Sequence, residues 1–295
     1  MIPLLYAGVV LGQTTQASFM KLNSRNGTSD VVRFNFFKSL AALCLFLVLF
    51  VAAGESFHLP TMLYGMLFGV CISCSSYFAY RALGLGPLSL TYMLFNCCIL
   101  VSCLYGVIFF DERITALGGV GLALMLGAMV LLNFDFSAKK KGMDTPAQRK
   151  PRISPKWALF IGLCLFGDGF CQVSQSAHQK GFPGEHQIGF MLWAMLTWCV
   201  IYLIAALPAG QLKAGRVKLR SDLYAAGSGL SNSLANFFIL KLAAMSSAVL
   251  LFPTVSVVCI LGALLSGLIF FREKLNLQQC FGFVLGVGAI FLLQL

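Results

Sequence analysis

The chain has 295 residues, 59% of them hydrophobic and 11% charged, with a formal net charge of +11. A soluble domain carries roughly 25% charged residues, and a water-soluble core of this length has no room for such an apolar surplus. A water-soluble globular protein is therefore excluded, and the class is an all-α integral membrane protein whose outer surface is solvated by lipid.

A helix needs about 20 mostly apolar residues to cross a hydrocarbon core roughly 30 Å thick. Only helices or closed barrels cross, because lipid supplies no hydrogen-bond partners. The apolar runs here are too long and continuous for barrel strands, which alternate. Ten spanning helices are predicted: 2–22, 29–53, 61–83, 87–110, 115–134, 156–179, 186–208, 221–243, 247–271 and 275–295. Residues 1–20 lack a charged n-region and a small-x-small cleavage site, so they read as the first span and not as a signal peptide. Turn signals separate the runs: "NSRNGTS" at 23–29, "GLGP" at 84–87, "KGFPGEH" at 180–186 and "LPAG" at 207–210. Pro60, Pro87 and Pro155 sit near helix starts, where a missing N–H costs little. One stretch differs from the rest: "DFSAKKKGMDTPAQRKPRISPK" is basic and rich in small polar residues, and 135–155 reads as a flexible linker between a first unit, 1–134, and a second, 156–295. The 11 cysteines fall inside apolar segments and their number is odd, which argues against a disulfide framework. The pair Cys71 and Cys74 has no second Cys pair or His nearby and reads as packing.

Orientation follows from Lys and Arg. Of the 21 such residues, seventeen, including Arg33, Arg81, the 139–156 cluster and Arg220, lie on the side that holds the linker; Arg113, Lys180 and Lys241 lie on the other. This positive-inside bias predicts a cytoplasmic linker and both termini outside. The net positive charge follows the same pattern, suits lipid headgroups, and gives no reason to invoke nucleic acid.

The phrase "IFFDERI" at 108–114 returns as "IFFREKL" at 269–275. Around it, 105–132 aligns with 266–293, matching Gly106, Ile108, Phe109, Phe110, Glu112, Gly121, Leu124, Gly127, Ala128, Leu131 and Leu132 with identical residues. Ten spans divide five and five. Because five is odd, two copies in series have opposite orientations in the membrane, a hallmark of secondary transporters. The outer copy, with Asp111, Glu112 and Arg113, is net negative and the inner, with Arg272, Glu273 and Lys274, net positive, as the positive-inside rule asks. Two five-helix repeats, each closing with this phrase and a Gly-rich last helix, resemble the EamA domain of the drug/metabolite transporter superfamily, most closely over 80–134 and 241–295. The resemblance implies two inverted five-helix repeats and a central cavity lined by the first four helices of each. It also implies a peripheral fifth helix, with a homodimer through the fifth and tenth. The outward termini depart from many ten-helix relatives, whose ends are cytoplasmic.

Ionisable residues deep in a bilayer are costly, so each is a functional candidate. Two are central: Lys38 in the second span and Asp168 in the sixth. Asp168 heads a stripe in which Gln172, Gln175 and Gln179 follow on one helix face. Shorter polar stripes occupy other spans. They comprise Gln13 and Gln16 in the first; Ser73, Ser76, Tyr77 and Tyr80 in the third; and Asn96, with Thr91 and Tyr92, in the fourth. In the second half they comprise Trp193 and Trp198 in the seventh, Asn232 and Asn236 in the eighth, and Pro253 with Thr254 in the ninth. Against a cavity role, Ser, Thr, Asn and Gln also bond helix to helix, at about 0.6 kcal/mol each on average, and for the Ser and Thr residues this, or bonding to the backbone, is the preferred reading. Lys38 has three readings: it snorkels, it bridges to Asp168, or it couples, protonation of Asp168 freeing it for an anionic substrate. Glu112 and Glu273, beside Arg113 and Lys274, read as local ion pairs. His58, His178 and His186 lie at helix ends, apart from one another in sequence, and make no visible metal set.

The expected function is a secondary-active transporter of a small metabolite, working by alternating access with proton coupling through Asp168. It sits as a multi-pass protein in the cell membrane, without a cofactor. No G-x-x-x-x-G-K-[ST] occurs, so ATP is not the energy source within this chain. An intramembrane enzyme is the weaker alternative, since it needs a His, paired acids or a metal set near the interface. A non-transporting receptor or assembly subunit is the other, and inverted duplication gives it no obvious benefit.

Overall fold

The computed structural model describes residues 2–25, 31–83, 85, 97–110, 115–133, 155–208, 219–271 and 277–293. Among them are ten helices and no strand: α1 (Ile2–Arg25), α2 (Val31–Ala53), α3 (Leu59–Leu83), α4 (Ile99–Phe110), α5 (Ala116–Asn133), α6 (Pro155–Gly181), α7 (Gln187–Ala206), α8 (Leu219–Ala243), α9 (Ala248–Phe271) and α10 (Leu277–Leu293). The helices fall on the predicted apolar runs, and the first part of the fourth run, with Pro87, lies outside the described residues. Pro60 and Pro155 occupy the first turns of α3 and α6, as their missing N–H groups allow. Most of the basic linker, and the charged residues of the repeated phrase, including Glu112 and Glu273, lie outside the described residues.

Among the described residues four helices are long and apolar enough to cross a membrane: Val31–Ala53, Leu59–Ala79, Pro155–Gly181 and Gln187–Ala206. Their burial is inverted relative to a soluble bundle. In α2 the side chains of Arg33, Asn35, Lys38 and Ser39 are buried while Leu47, Val48 and Val51 stand exposed. Lys38 is 5% exposed and Val51 72%. A water-solvated helix turns its charged face outward; this one turns it inward, as a lipid-solvated helix does.

The most extensive packing joins helices distant in the chain: α1 with α8, α3 with α6, α5 with α10, α2 and α3 with α7, and α2 with α8. Adjacent helices such as α2 and α3 touch little. Among the described residues, most of the packing of either set of five helices is against the other set. The pairings also come in equivalent twos. Counting five helices onward turns α1–α8 into α6–α3 and α2–α8 into α7–α3, and returns α2–α7, α4–α9 and α5–α10 to themselves.

The equivalence extends to residues. Laid end to end, the 25-residue helices α3 and α8 match Leu59, Leu63, Tyr64, Gly69, Ser73 and Phe78 with Leu219, Leu223, Tyr224, Gly229, Ser233 and Phe238. The helix crossings match as well. A Cβ at Gly12 of α1 would stand 2.7 Å from the Ser231 carbonyl and 2.8 Å from the Ala235 Cβ of α8. Its counterpart on α6, Gly167, meets Cys71 and Ser75 of α3, which occupy the places of Ser231 and Ala235. Likewise a Cβ at Gly69 would stand 2.6 Å from the Ala194 carbonyl of α7, and one at Gly229 would collide with the Lys38 carbonyl of α2. Glycine at these places lets two backbones touch, the small-residue crossing that holds helices together where lipid removes the hydrophobic drive. The small faces of α5 and α10 are spent on each other and on α9: Gly127 packs on Leu285, and Gly286 on Val257 and Ala128.

Candidate functional site

Lys38 sits in the first half of α2, two turns in from its start, where Gly229 brings the α8 backbone against it. Its ammonium lies over the indole of Trp198 on α7, 5.3 Å from the ring centroid. Asp168 on α6 has the Ser75 hydroxyl of α3 beside it and feels the Lys38 charge. The two charges nevertheless form no ion pair, so the bridging alternative for Lys38 is not the arrangement seen. A cation taken this far from water without a carboxylate against it costs several kcal/mol, partly offset by the cation–π contact, worth about 2 kcal/mol when desolvated. Beside it the Trp198 Nε1–H is sealed in the interior with no acceptor, and the Ser228 hydroxyl, next to Gly229, is likewise buried without a partner. The centre thus holds an ammonium and an indole N–H able to donate, facing a carboxylate kept at a distance.

Superposing the equivalent crossings shows what is unusual about these charges. Aligning Gly12 with Gly167 puts Gln13 in the place of Asp168, and aligning the Gly229 and Gly69 crossings puts Ala194 in the place of Lys38. Each central charge is present once and has a neutral counterpart.

The other predicted residues are dispersed. The glutamine stripe is engaged in bonds between helices. Gln172 accepts from Ser102 Oγ (2.6 Å) and donates to Cys98 Sγ (3.4 Å), both near α4. Gln175 donates to the Asn236 carbonyl of α8 (3.2 Å). Asn236 donates to the Asn232 carbonyl one turn back (2.9 Å) and to its Oδ1 (3.3 Å). Gln16 keeps a buried Oε1 without a partner while its Nε2 reaches Met20 Sδ; Gln13 is half-buried beside the crossing glycine. Away from the centre, Tyr77 accepts two bonds from the exposed Arg81. Trp193 packs edge-on against Phe57, 6.0 Å away, so Trp198 and not Trp193 is the tryptophan at the Lys38 site. Asn96, Thr91 and Tyr92, and the Tyr80 side chain, lie outside the described residues. Ser73, Thr14, Ser18 and Thr254 bond back to their own helices, the backbone role expected of them. All 11 cysteines are free.

Two ties between helices were not visible in the sequence. At the end of the bundle where α2 begins, Arg33 grips Asp222 of α8 through two bonds, Nε–Oδ1 2.9 Å and Nη2–Oδ2 2.7 Å. At the opposite end the three histidines, read as separate, come together. His58 and His186 stack at 4.4 Å, and Thr61 Oγ1 joins His58 Nδ1 (2.8 Å) to His178 Nε2 (2.9 Å). Distance along the chain had hidden this, because the three belong to two different interhelical corners. Among the described residues no group of His, Cys, Asp or Glu is placed to hold a metal ion. Nearby, Glu55 accepts from the Gly189 N–H in the first turn of α7 (2.8 Å), a carboxylate at the positive end of a helix.

No family model matches the chain, and no curated protein matches it. A solved structure described simply as "Crystal structure of protein" is similar with a TM-score of 0.72 at 15% sequence identity, over 99% of this chain and 95% of its own. At that identity the likeness is one of fold.

Proposed function

We propose that the chain is a secondary-active transporter that carries a small metabolite across the cell membrane by alternating access between two inverted, EamA-like five-helix repeats. Three observations support the reading: the inverted burial of α2, the equivalence of helix pairings under a shift of five, and the repeated phrase at the end of each half. On this reading all ten helices cross the bilayer, both termini are outside, and the basic linker faces the cytoplasm. A homodimer, if formed through α5 and α10, uses their outer faces, where Leu117, Val120, Phe281 and Val284 are exposed.

The observation that carries the proposal is Lys38, buried at the junction of α2, α7 and α8 without an ion pair. A cation kept there at a cost marks a substrate or ion pathway. Lys38, with the Trp198 indole, receives an anionic group of the cargo; Asp168 carries the coupling proton. The test begins with a thermal-shift screen of metabolites on the purified protein, since a ligand stabilises the folded form that binds it, and continues with liposome uptake. Native protein accumulates the ligand under an imposed proton gradient, Asp168→Asn loses that response, and Lys38→Met loses affinity for anionic cargo. Uptake indifferent to the gradient and unchanged in Asp168→Asn sinks the coupling, and failure to move any stabilising ligand sinks transport.

A further inference from the structure

The histidine corner has a polarity that can be read from one backbone group. Gln179 Oε1 accepts from the Gly184 N–H (3.0 Å) and from Gln187 Nε2 (2.8 Å). A backbone N–H only donates, so the amide oxygen is fixed there, and Gln179 Nε2 necessarily faces His178 Nδ1 at 2.8 Å. That nitrogen only donates. His178 Nδ1 is therefore bare and the ring proton sits on Nε2, from which it donates to Thr61 Oγ1. The Thr61 hydroxyl proton is then free to go to His58 Nδ1. The chain runs Gln179 to His178 to Thr61 to His58, and as drawn it requires a neutral His178. A second proton on His178 would point an N–H at the N–H of Gln179. Gln179 cannot turn over without abandoning Gly184 and Gln187. His58 is more tolerant, because the Thr61 hydroxyl can rotate to accept from it; a proton on both His58 and His186, however, stacks two cations at 4.4 Å.

The chain is a tie between elements. It fastens the loop before α3 and the first turn of α3 to the end of α6 and the hairpin leading into α7. His178 is completely buried and Thr61 nearly so. The other titratable groups at this corner are Glu55, held by Gly189 of α7, Tyr64 of α3 beside the His178 ring, Glu185 in the hairpin, and Lys180 of α6, whose ammonium lies over Phe110 of α4. The opposite end of the bundle carries the equivalent contact in different chemistry. The alignment that matches Gly12 with Gly167 puts Asn23 in the place of His178, and the one that matches α3 with α8 puts Ser221 in the place of Thr61. Ser221 Oγ does donate to Asn23 Oδ1, at 2.8 Å. The equivalent contact is thus made at one end by Asn and Ser, neither of which titrates, and at the other by Thr and His, of which His does.

We propose that the His178–Thr61–His58 chain is a proton-operated latch: neutral, it closes one end of the bundle, and protonation of His178 releases that end alone. Its role as a gate rests on the transport reading; the latch itself is tested without transport. The full chain, placed in lipid nanodiscs and labelled with 15N-histidine, gives NMR signals from three residues. Near pH 7.5, roughly one unit above the free imidazole range, His178 carries its proton on Nε2 and its Nδ1 is bare. Hydrogen exchange, corrected for its intrinsic pH dependence, is followed from about pH 8 to about pH 4. Protection at 54–61 and 178–189 falls by about tenfold, equivalent to about 1.4 kcal/mol, as His178 gains its proton, while protection at 19–25, which holds Asn23 and no carboxylate, is retained. The double variant His178→Asn/Thr61→Ser, which copies the opposite end, stays protected and loses the pH response. Gln179→Glu, whose carboxylate accepts from a protonated Nδ1, keeps the latch shut in acid. An Nδ1-protonated His178 near pH 7.5, an undiminished pH response in the double variant, or equal loosening of both ends overturns the proposal. Acid opening in a protein that moves no cargo upholds the latch and removes its role as a gate.

Discussion

The Arg33–Asp222 tie gives a stability prediction whose size follows from its burial. The two side chains are 8% and 14% exposed, and two bonds of 2.9 and 2.7 Å join them. Asp222→Asn keeps the shape and takes the carboxylate charge away from a guanidinium that stays desolvated. Removing one partner of a buried pair costs about 3–5 kcal/mol, and the slight exposure here favours the lower figure. Asp222 also sits in the first turn of α8, where a carboxylate contributes about 0.3–1 kcal/mol through the helix dipole. The expected loss is about 3–4 kcal/mol, a few hundredfold in the folding equilibrium at about 1.4 kcal/mol per decade. The double variant Arg33→Met/Asp222→Leu retains the packing of both stems and buries no charge, so it lies within about 1 kcal/mol of the native protein. Unfolding in mixed lipid–detergent micelles, followed by tryptophan fluorescence, measures all four corners of the cycle. A double variant that loses the sum of the two single losses would show that the residues act independently, and the account of the tie as a desolvated pair would be wrong.

Other positions make sharp contrasts. Gly229→Ala drives a Cβ into the Lys38 carbonyl, and because a backbone carbonyl yields little the cost is about 1–3 kcal/mol, read as a lowered melting temperature. Gly162→Ala, in α6 with nothing within 4 Å of the new Cβ, raises it, since Ala is favoured over Gly in a helix by about 1 kcal/mol. Gln172→Leu removes the bond between helices and leaves the Ser102 hydroxyl to the Ile99 carbonyl of its own helix, 2.9 Å away; in the same micelle assay the loss is about 0.6 kcal/mol and no more than about 1.7.

The helices were legible because each is a long apolar run bounded by turn residues, and lipid makes length itself informative. Lys38 and Asp168 stood out for the same reason, as charges where charge is costly. The repeat was legible only at the C-terminal ends of the two halves. Gly12 pairs with Gly167 at one spacing and α3 with α8 at another, so no single offset reveals both. Laying the two 25-residue helices directly on each other would have found their shared Tyr, Gly and Ser. Partners were not legible. Periodicity put Gln172, Gln175 and Gln179 on one face without saying that they would bond to three different elements. It also gave no means of choosing Trp198 over Trp193, five residues apart on one helix. The Thr61–His178 contact spans 117 residues of chain, and only the folded α3–α6 interface creates it.

Equivalent halves explain why the unmatched residues matter. If the two halves of a transporter were identical, the state open to one side and the state open to the other would have equal energy, and nothing within the protein would tie opening to a proton. Any such coupling has to reside where equivalence fails. Asp168 stands opposite Gln13, Lys38 opposite Ala194, and His178 with Thr61 opposite Asn23 with Ser221. Asp168 and His178 can change charge on binding a proton, and Lys38 feels the charge of Asp168. The exchange of Gln for Asp and of Asn for His leaves the helix crossings in place, because Gly12 and Gly167 still set the distance between backbones. On the proposed reading, duplication supplies two ends that close in the same way, and a few polar substitutions on that shared frame make one of them answer to acid.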